Sequence, residues 1–195
     1  MYPLAKNGVF WTLQGEGALV GEPMAFIRLA GCSVGCPQCD TDYRVGQRLT
    51  TADILYAVQR ITPKSFKWPW AWLTGGEPTD HDLAPLVDGL QTIGYRVALA
   101  TAGVKPVDHL KLQWISVSPH HTDIAQTRGH ELKIVPGLNG LTWTDVDAIS
   151  RWSFPYRFLQ PLWGDRDNES ACLDYVQTHP GWRLSPQAHK IWRIA

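Results

Sequence analysis

Met24-Ala-Phe-Ile-Arg-Leu29-Ala-Gly31-Cys32-Ser-Val-Gly-Cys36-Pro-Gln-Cys39-Asp40 joins a strand-like apolar run, a glycine turn and a polar loop. Three of the four cysteines fall within eight residues, spaced C-x3-C-x2-C. Thiolates this close can serve one metal centre, and the two candidates are zinc and an iron–sulfur cluster. A closed structural zinc site takes four ligands, usually as two separated pairs. Here there is no second pair, and the fourth cysteine, Cys172, lies far along the chain in a helix-like segment. A [4Fe–4S] cluster normally takes four cysteines. Three would leave one iron open to a small molecule. The spacing favours the cluster over zinc or unpaired structural thiols.

Outward from this stretch the same pattern repeats. Val9-Phe-Trp-Thr-Leu13 runs into the glycine-flanked turn Gln14-Gly15-Glu16-Gly17, and Trp70-Ala-Trp-Leu73 runs into Thr74-Gly75-Gly76-Glu77-Pro-Thr. Tyr95 to Ala100 precedes Thr101, and Trp114 to Ser118 precedes Pro-His120. Glu131-Leu-Lys-Ile-Val, Tyr156-Arg-Phe-Leu before Gln160, and Trp182-Arg-Leu-Ser before His189 complete the series. Between them lie helical patterns. Thr50 is an N-cap, followed by Ile54, Leu55, Val58 and Ile61 at helical spacing. Others cover Asp82 to Ile93, closed by Gly94, then Thr144 to Trp152 and Asn168 to His179. Alternating strands and helices imply parallel βαβ units. The segments Ala100–Trp114 and Ser118–Glu131 are barely long enough for a crossover and predict missing helices. The expected fold is α/β, an incomplete, open parallel barrel of about six strands with fewer helices, in one domain over residues 1–195.

Composition excludes several classes. Basic and acidic side chains balance at 18 each, which leaves no electrostatic footprint for nucleic acid. No apolar run is long enough to span a bilayer, and the first residues lack the apolar core of a signal peptide. Clustered cysteines do not make a disulfide framework, so a reduced, cytoplasmic compartment is expected. The ten tryptophans, with Trp68, Trp70 and Trp72 crowded in one region, are read as packing and interface area rather than a base-stacking platform.

The polar motifs all follow predicted strands, the edge at which open α/β sheets and barrels bind ligands. Each also has a plain structural reading. Thr101 and Ser118 can cap turns. Gln160 can satisfy backbone groups, and His189 can be packed. Arg28, near the end of a buried strand, needs either an ion pair or a ligand carboxylate. Ile191, Trp192 and Ile194 are apolar and predict a docked C-terminal segment.

C-x3-C-x2-C resembles the radical S-adenosylmethionine enzymes, and Gly75-Gly76-Glu77-Pro78 resembles their glycine-rich segment, whose backbone bonds the cofactor's amino group. Phe10-Trp-Thr-Leu-Gln-Gly-Glu-Gly, Cys39-Asp40-Thr41-Asp42, the Gly-Gly-Glu-Pro segment, Val-Ser-Pro, Glu-Leu-Lys-Ile-Val and Trp182-Arg-Leu-Ser-x-Gln-x-His189-Lys190 stand in the order of one subgroup. Together they are similar to the 7-carboxy-7-deazaguanine synthase family. The resemblance implies an abbreviated radical SAM partial TIM barrel, a homodimer, and a lyase that contracts the ring of 6-carboxy-5,6,7,8-tetrahydropterin with loss of ammonia, in queuosine-type 7-deazapurine biosynthesis. A 5′-deoxyadenosyl radical would abstract hydrogen at C6, with S-adenosylmethionine regenerated, Mg2+ assisting and an external electron donor such as flavodoxin. By position, Cys32, Cys36 and Cys39 would ligate the [4Fe–4S] cluster and Thr41 would bind magnesium. Asp40, Thr74, Gly75, Gly76, Glu77, Thr101, Ser118, His120 and Gln160 would hold S-adenosylmethionine. Leu13, Gln14, Gly15, Glu16, Arg28, Gly76, His189 and the terminal carboxylate of Ala195 would contact the pterin. The chain departs from the family pattern in having His120 where lysine follows Ser-Pro, and Ala100-Thr-Ala102-Gly in place of Glu-Thr-Asn-Gly. A glycyl-radical-enzyme activase would share the cysteine motif but not Leu13-Gln-Gly-Glu together with His189. A non-enzymatic zinc-binding module would leave Gly-Gly-Glu-Pro unexplained.

Overall fold

Alternate residues along the strands give the sheet two unlike faces. In a computed structural model describing residues 1–37, 39 and 41–194, nine strands form one sheet. They are β1 (Tyr2–Leu13), β2 (Pro23–Leu29), β3 (Val45–Leu49), β4 (Trp70–Gly75), β5 (Arg96–Thr101), β6 (Trp114–Val117), β7 (Glu131–Ile134), β8 (Tyr156–Leu159) and β9 (Trp182–Leu184). The order is β3-β1-β2-β4-β5-β6-β7-β8-β9, so β3 and β9 are edges and the barrel is open. From β2 through β9 every neighbouring pair is parallel, while β1 and β3 add antiparallel strands at one edge.

One face is apolar throughout and carries the helices. Ala25, Ile27, Leu29, Ala71, Leu73, Val97 and Leu99 share a core with Ile54 and Val58 of α1 (Thr51–Ile61) and Leu86, Val87 and Leu90 of α2 (Ala84–Thr92). The expected N-cap holds, since Thr50 and Asp53 form a reciprocal capping box. Gly94, at φ +90°, ends α2 as expected. Two further predicted helices are α3 (Trp143–Ile149) and α4 (Arg166–Thr178). The residues 102–113 and 118–130 form no helix, as their length requires.

The concave face changes character along the strands. Near the strand starts, Met24, Phe26, Trp70, Trp72 and Ala98 form a second apolar cluster that plugs the barrel. Two positions further on, Arg28 and Thr74 are register partners facing a cavity. Because side chains on one face recur every second residue, the apolar plug and the polar floor belong to the same strands. Trp70 and Trp72 are thus core residues as expected, whereas Trp68 is 69% exposed.

Three expectations need correction. The parallel strands number seven rather than about six, and two antiparallel strands join them. The added edge strand Val45-Gly-Gln-Arg-Leu is almost wholly exposed, so no buried face patterns its sequence. Strand β1 begins at Tyr2, not Val9, with a bulge between Leu4 and Val9 that breaks the alternation. A short helix, α5 (Ala188–Trp192), follows β9. It docks through its buried Ala188, while Ile191 and Trp192 are 61% and 46% exposed, so of the three apolar residues expected to seat this end only the half-buried Ile194 does so.

Gly75 lies in register with Leu29 at φ +135°, and a Cβ there would overlap the Leu29 carbonyl oxygen. Gly94 also has positive φ but faces open space. In urea unfolding, Gly94→Ala should cost about 1 kcal/mol, the strain alone, and Gly75→Ala about 3 kcal/mol or more because the strand ends must part.

Candidate active site

The cysteine loop leaves β2 at Ala30 and is fastened to its surroundings by main chain. Ala30 N donates to Pro3 O at 2.9 Å and Gly31 N to Tyr43 O at 2.9 Å. Ser33 donates both its N–H and hydroxyl to Asp80, at 2.8 Å each. The loop after β4 closes on the same root, with Gly76 N donating to Leu29 O and Glu77 N to Gly31 O, both at 3.0 Å. A side chain on Gly76 would overlap the Gly31 carbonyl and the Cys32 Cβ. The glycines expected to let the main chain near a ligand therefore also let two loops meet.

Cys32, Cys36 and Cys39 line one wall of a cavity of about 600 Å³ together with Thr74, Gly75, Gly76, Glu77, Thr101, Ser118, His120 and Gln160. Burial raises the Cys36 thiol pKa, and the adjacent Cys39 and Cys32 raise it further. His120 Nδ1 lies 2.9 Å from Cys36 Sγ. Burial, with the charges of His121 and Lys133, lowers this imidazole to about 4. Cys172 is fully buried in α4, and burial pushes its thiol up to about 12. Among the described residues no three His, Cys, Asp or Glu side chains gather tightly enough for one metal ion.

A smaller cavity of about 210 Å³ adjoins the first and is lined by Leu13, Gln14, Gly15, Arg28 and His189. Glu16, Thr41, Thr74, Ala100, Ser118 and Lys133 line both, so the two adjoin across shared residues. The Arg28 guanidinium lies over the Phe10 ring at 5.0 Å. Gly15 has no room for a Cβ because the His189 ring fills that space, and Ala188 N donates to Gly15 O at 2.8 Å. Gly17, at φ +68°, abuts the Glu131 carboxylate and donates its N–H to Ser185 Oγ at 2.9 Å.

Glu16 is the hub of the floor. Lys133 Nζ pairs with its carboxylate, and Gln160 Nε2 and Gln187 Nε2 each donate to Oε1 at 3.1 Å. Burial alone would raise this carboxyl, but the Lys133 ammonium, with the Gln187 amide and His189, outweighs it and holds the pKa below the ordinary glutamate range. Glu131 accepts from Ala18 N at 2.6 Å and Ser116 Oγ at 2.8 Å, yet burial still pushes it above that range. Sequence reasoning placed the segment from Ser185 to His189 at the ligand edge without a role for Ser185 or Gln187, and missed Lys133, Ser116 and Glu131 as site residues. The alternation in Glu131-Leu-Lys133 was the available signal, since both polar positions fall on the concave face.

Several expected cofactor contacts spend their side chains inside the protein. Glu77 is 1% exposed and accepts from Thr79 N, Thr79 Oγ1, Thr101 Oγ1 and Ala102 N at 2.7–2.9 Å. Thr101 Oγ1 also accepts from Gly103 N at 2.9 Å. Gln160 serves Glu16 and accepts from Ser185 Oγ at 3.2 Å. The assignments to Asp40 and Ala195 lie outside the described residues.

An abbreviated, open parallel barrel with three thiols after its first parallel strand defines the class, a radical S-adenosylmethionine enzyme. No protein-family model matches the sequence. The chain is 35% identical to the 7-carboxy-7-deazaguanine synthase of Burkholderia multivorans, over 97% of this chain and 98% of that one. It is 33% identical to that of Escherichia coli K12, over 100% and 99%. The crystal structure of QueE from Escherichia coli superposes with a TM-score of 0.73 at 28% identity, covering 96% of this chain and 94% of that chain. The chain belongs to the 7-carboxy-7-deazaguanine synthase family and is a radical SAM lyase.

Glu16 contributes stability that is complete above the unfolded-state glutamate pKa and is lost as pH falls through its lower folded value. The stability gap between wild type and Glu16→Gln, from urea unfolding, should be largest near neutrality and shrink on acidification. At neutral pH the substitution should cost about 3 kcal/mol, because it leaves the Lys133 ammonium without its carboxylate.

Proposed function

We propose that this chain converts 6-carboxy-5,6,7,8-tetrahydropterin into 7-carboxy-7-deazaguanine with release of ammonia. The observation that carries the reading is that the two cavities adjoin and share lining residues. Thiols line one end and Gln14, Arg28 and His189 the other, with Glu16, Ala100 and Ser118 between them. Cys32, Cys36 and Cys39 would hold a [4Fe–4S] cluster, and the wall from Thr74 through Gly76 with Ser118 would hold S-adenosylmethionine. When bound, the cluster supplies the electron that cleaves the cofactor's C–S bond.

The chain's own residues bind and orient. Arg28 is the arm for the pterin carboxylate, since a guanidinium can fork onto both oxygens. Gln14 is 5% exposed, and its Oε1 accepts from Glu16 N at 3.1 Å, so its amide is held in one orientation for reading the pterin edge. Glu16, kept ionised by Lys133, accepts from the aminopyrimidine edge. Its Oε1 takes the Gln160 and Gln187 amides and its Oε2 the Lys133 ammonium, which leaves one acceptor site on Oε2 for that edge. His189 packs against Gly15 and closes the pocket from the C-terminal side. Thr41 is the magnesium ligand in this reading. A hydroxyl is a weak oxygen donor, so substrate and water would supply most of the coordination. Family membership supports a homodimer, an external one-electron donor of the flavodoxin kind, a cytoplasmic setting and a role in queuosine-type biosynthesis. Among the described residues no helix is long and apolar enough to cross a membrane.

Mass spectrometry of an anaerobic incubation with the carboxypterin, S-adenosylmethionine, Mg2+ and a reductant tests the reading. The wild-type protein should form the deazaguanine acid, and intact pterin despite cofactor cleavage would overturn it. Arg28→Ala should lower pterin turnover by about two orders of magnitude while uncoupled cleavage of S-adenosylmethionine persists. Cys36→Ser should abolish both activities. Chelating magnesium should slow turnover and leave cofactor binding, measured by equilibrium dialysis, unchanged.

A further inference from the structure

His120 is one of the positions at which the chain departs from its family's pattern, and it lines the larger cavity beside the cysteine loop. Its loop is held from below by Asn139. The Asn139 amide donates to His120 O at 3.4 Å and meets His121 Nε2 at 3.0 Å. Asn139 itself sits at φ +53°, in a tight turn after Gly137. The imidazole is therefore carried to Cys36 by a braced segment, and its Nδ1 stops 2.9 Å from the sulfur.

A thiolate that ligates iron carries no proton. At this separation the only hydrogen that can lie between the two atoms is then the one on the imidazole nitrogen. We propose that His120 donates its Nδ1–H to Cys36 Sγ and, as a positioning residue acting through that ligand, raises the reduction potential of the cluster. Reduction adds one electron, supplied by an external reductant, and no bond is made or broken in the protein. The added negative charge spreads onto the ligand sulfurs. A donor aimed at one of them stabilises the reduced state more than the oxidised state, which is how hydrogen bonds to sulfur tune such centres. The inference rests on the cluster assignment of the proposed function. It differs from a cofactor contact because its effect is present with no S-adenosylmethionine bound.

The test is an EPR-monitored redox titration of anaerobically reconstituted protein, without S-adenosylmethionine or pterin. Wild type is compared with His120→Leu and His120→Gln. With iron and sulfide content unchanged, His120→Leu should lower the equilibrium constant for reduction about tenfold, a fall of about 59 mV for one electron. His120→Gln keeps a side-chain N–H and should recover part of that shift. An unchanged potential in His120→Leu overturns the proposal. Pulsed EPR on the reduced wild-type cluster, labelled with 15N-histidine, gives an answer even if the leucine variant fails to load. A histidine nitrogen coupling that changes with the label supports the bond, and no such coupling overturns it. A wild-type protein that takes up no iron would instead overturn the functional reading, and this inference with it.

Discussion

The site depends on a close approach of two backbones. Residues 75–77 at the end of β4 lie against residues 29–32 at the end of β2 with no side chain between them, tied by the Gly76 and Glu77 amides. Glu77 then turns its carboxylate inward and collects the hydroxyl of Thr101 and the amide of Ala102 from the end of β5. Three adjacent strand ends are thereby locked to one another and to the root of the cysteine loop. A buried carboxylate with every acceptor engaged is rigid, and removing it would strand several donors at once. The thiols project from a loop whose base cannot shift without breaking that lock.

A second constraint acts at the open mouth of the sheet. An incomplete barrel cannot close by pairing its edge strands, and here polar bonds between loops do part of that work. The turn after β1 bonds the segment after β9, through Gly17 to Ser185 and Ala188 to Gly15. Glu16 stands between Lys133, Gln160 and Gln187, which come from β7 and from the segments after β8 and β9. The same carboxylate that ties these segments together forms part of the pocket floor. Stability and recognition therefore share residues, and the charge of Lys133 keeps Glu16 ionised for both.

Much of this was legible in the sequence because every polar motif followed an apolar run, and parallel topology brings such strand ends to one edge. The cysteine loop, the Thr50 and Gly94 caps and the two helix-free crossovers needed only local chemistry. What stayed hidden was long-range or weakly patterned. Strand β3 is exposed and polar, so nothing in Val45-Gly-Gln-Arg-Leu distinguishes it from a loop. Helix α5 is five residues long. Lys133 and Glu16 meet across 117 residues of sequence, and no spacing rule joins them. Glu77 was legible as a polar residue at the ligand edge but not as one whose side chain bonds other protein groups, and Gln160, open to a backbone-satisfying role, instead bonds the side chains of Glu16 and Ser185. The need for glycine at 75 and 76 was legible, whereas their approach to residues 29–32 required the register of β2 and β4.

The central claim is that two adjoining cavities seat the cofactor at the thiol end and the pterin between Arg28, Glu16 and His189. An anaerobic crystal structure of the reconstituted protein with S-adenosylmethionine and the carboxypterin tests it most directly. The account predicts the methionine moiety beside Gly76 and the cysteine loop, with the pterin carboxylate on Arg28. A pterin bound elsewhere, or a cofactor seated away from Cys32, Cys36 and Cys39, would contradict it.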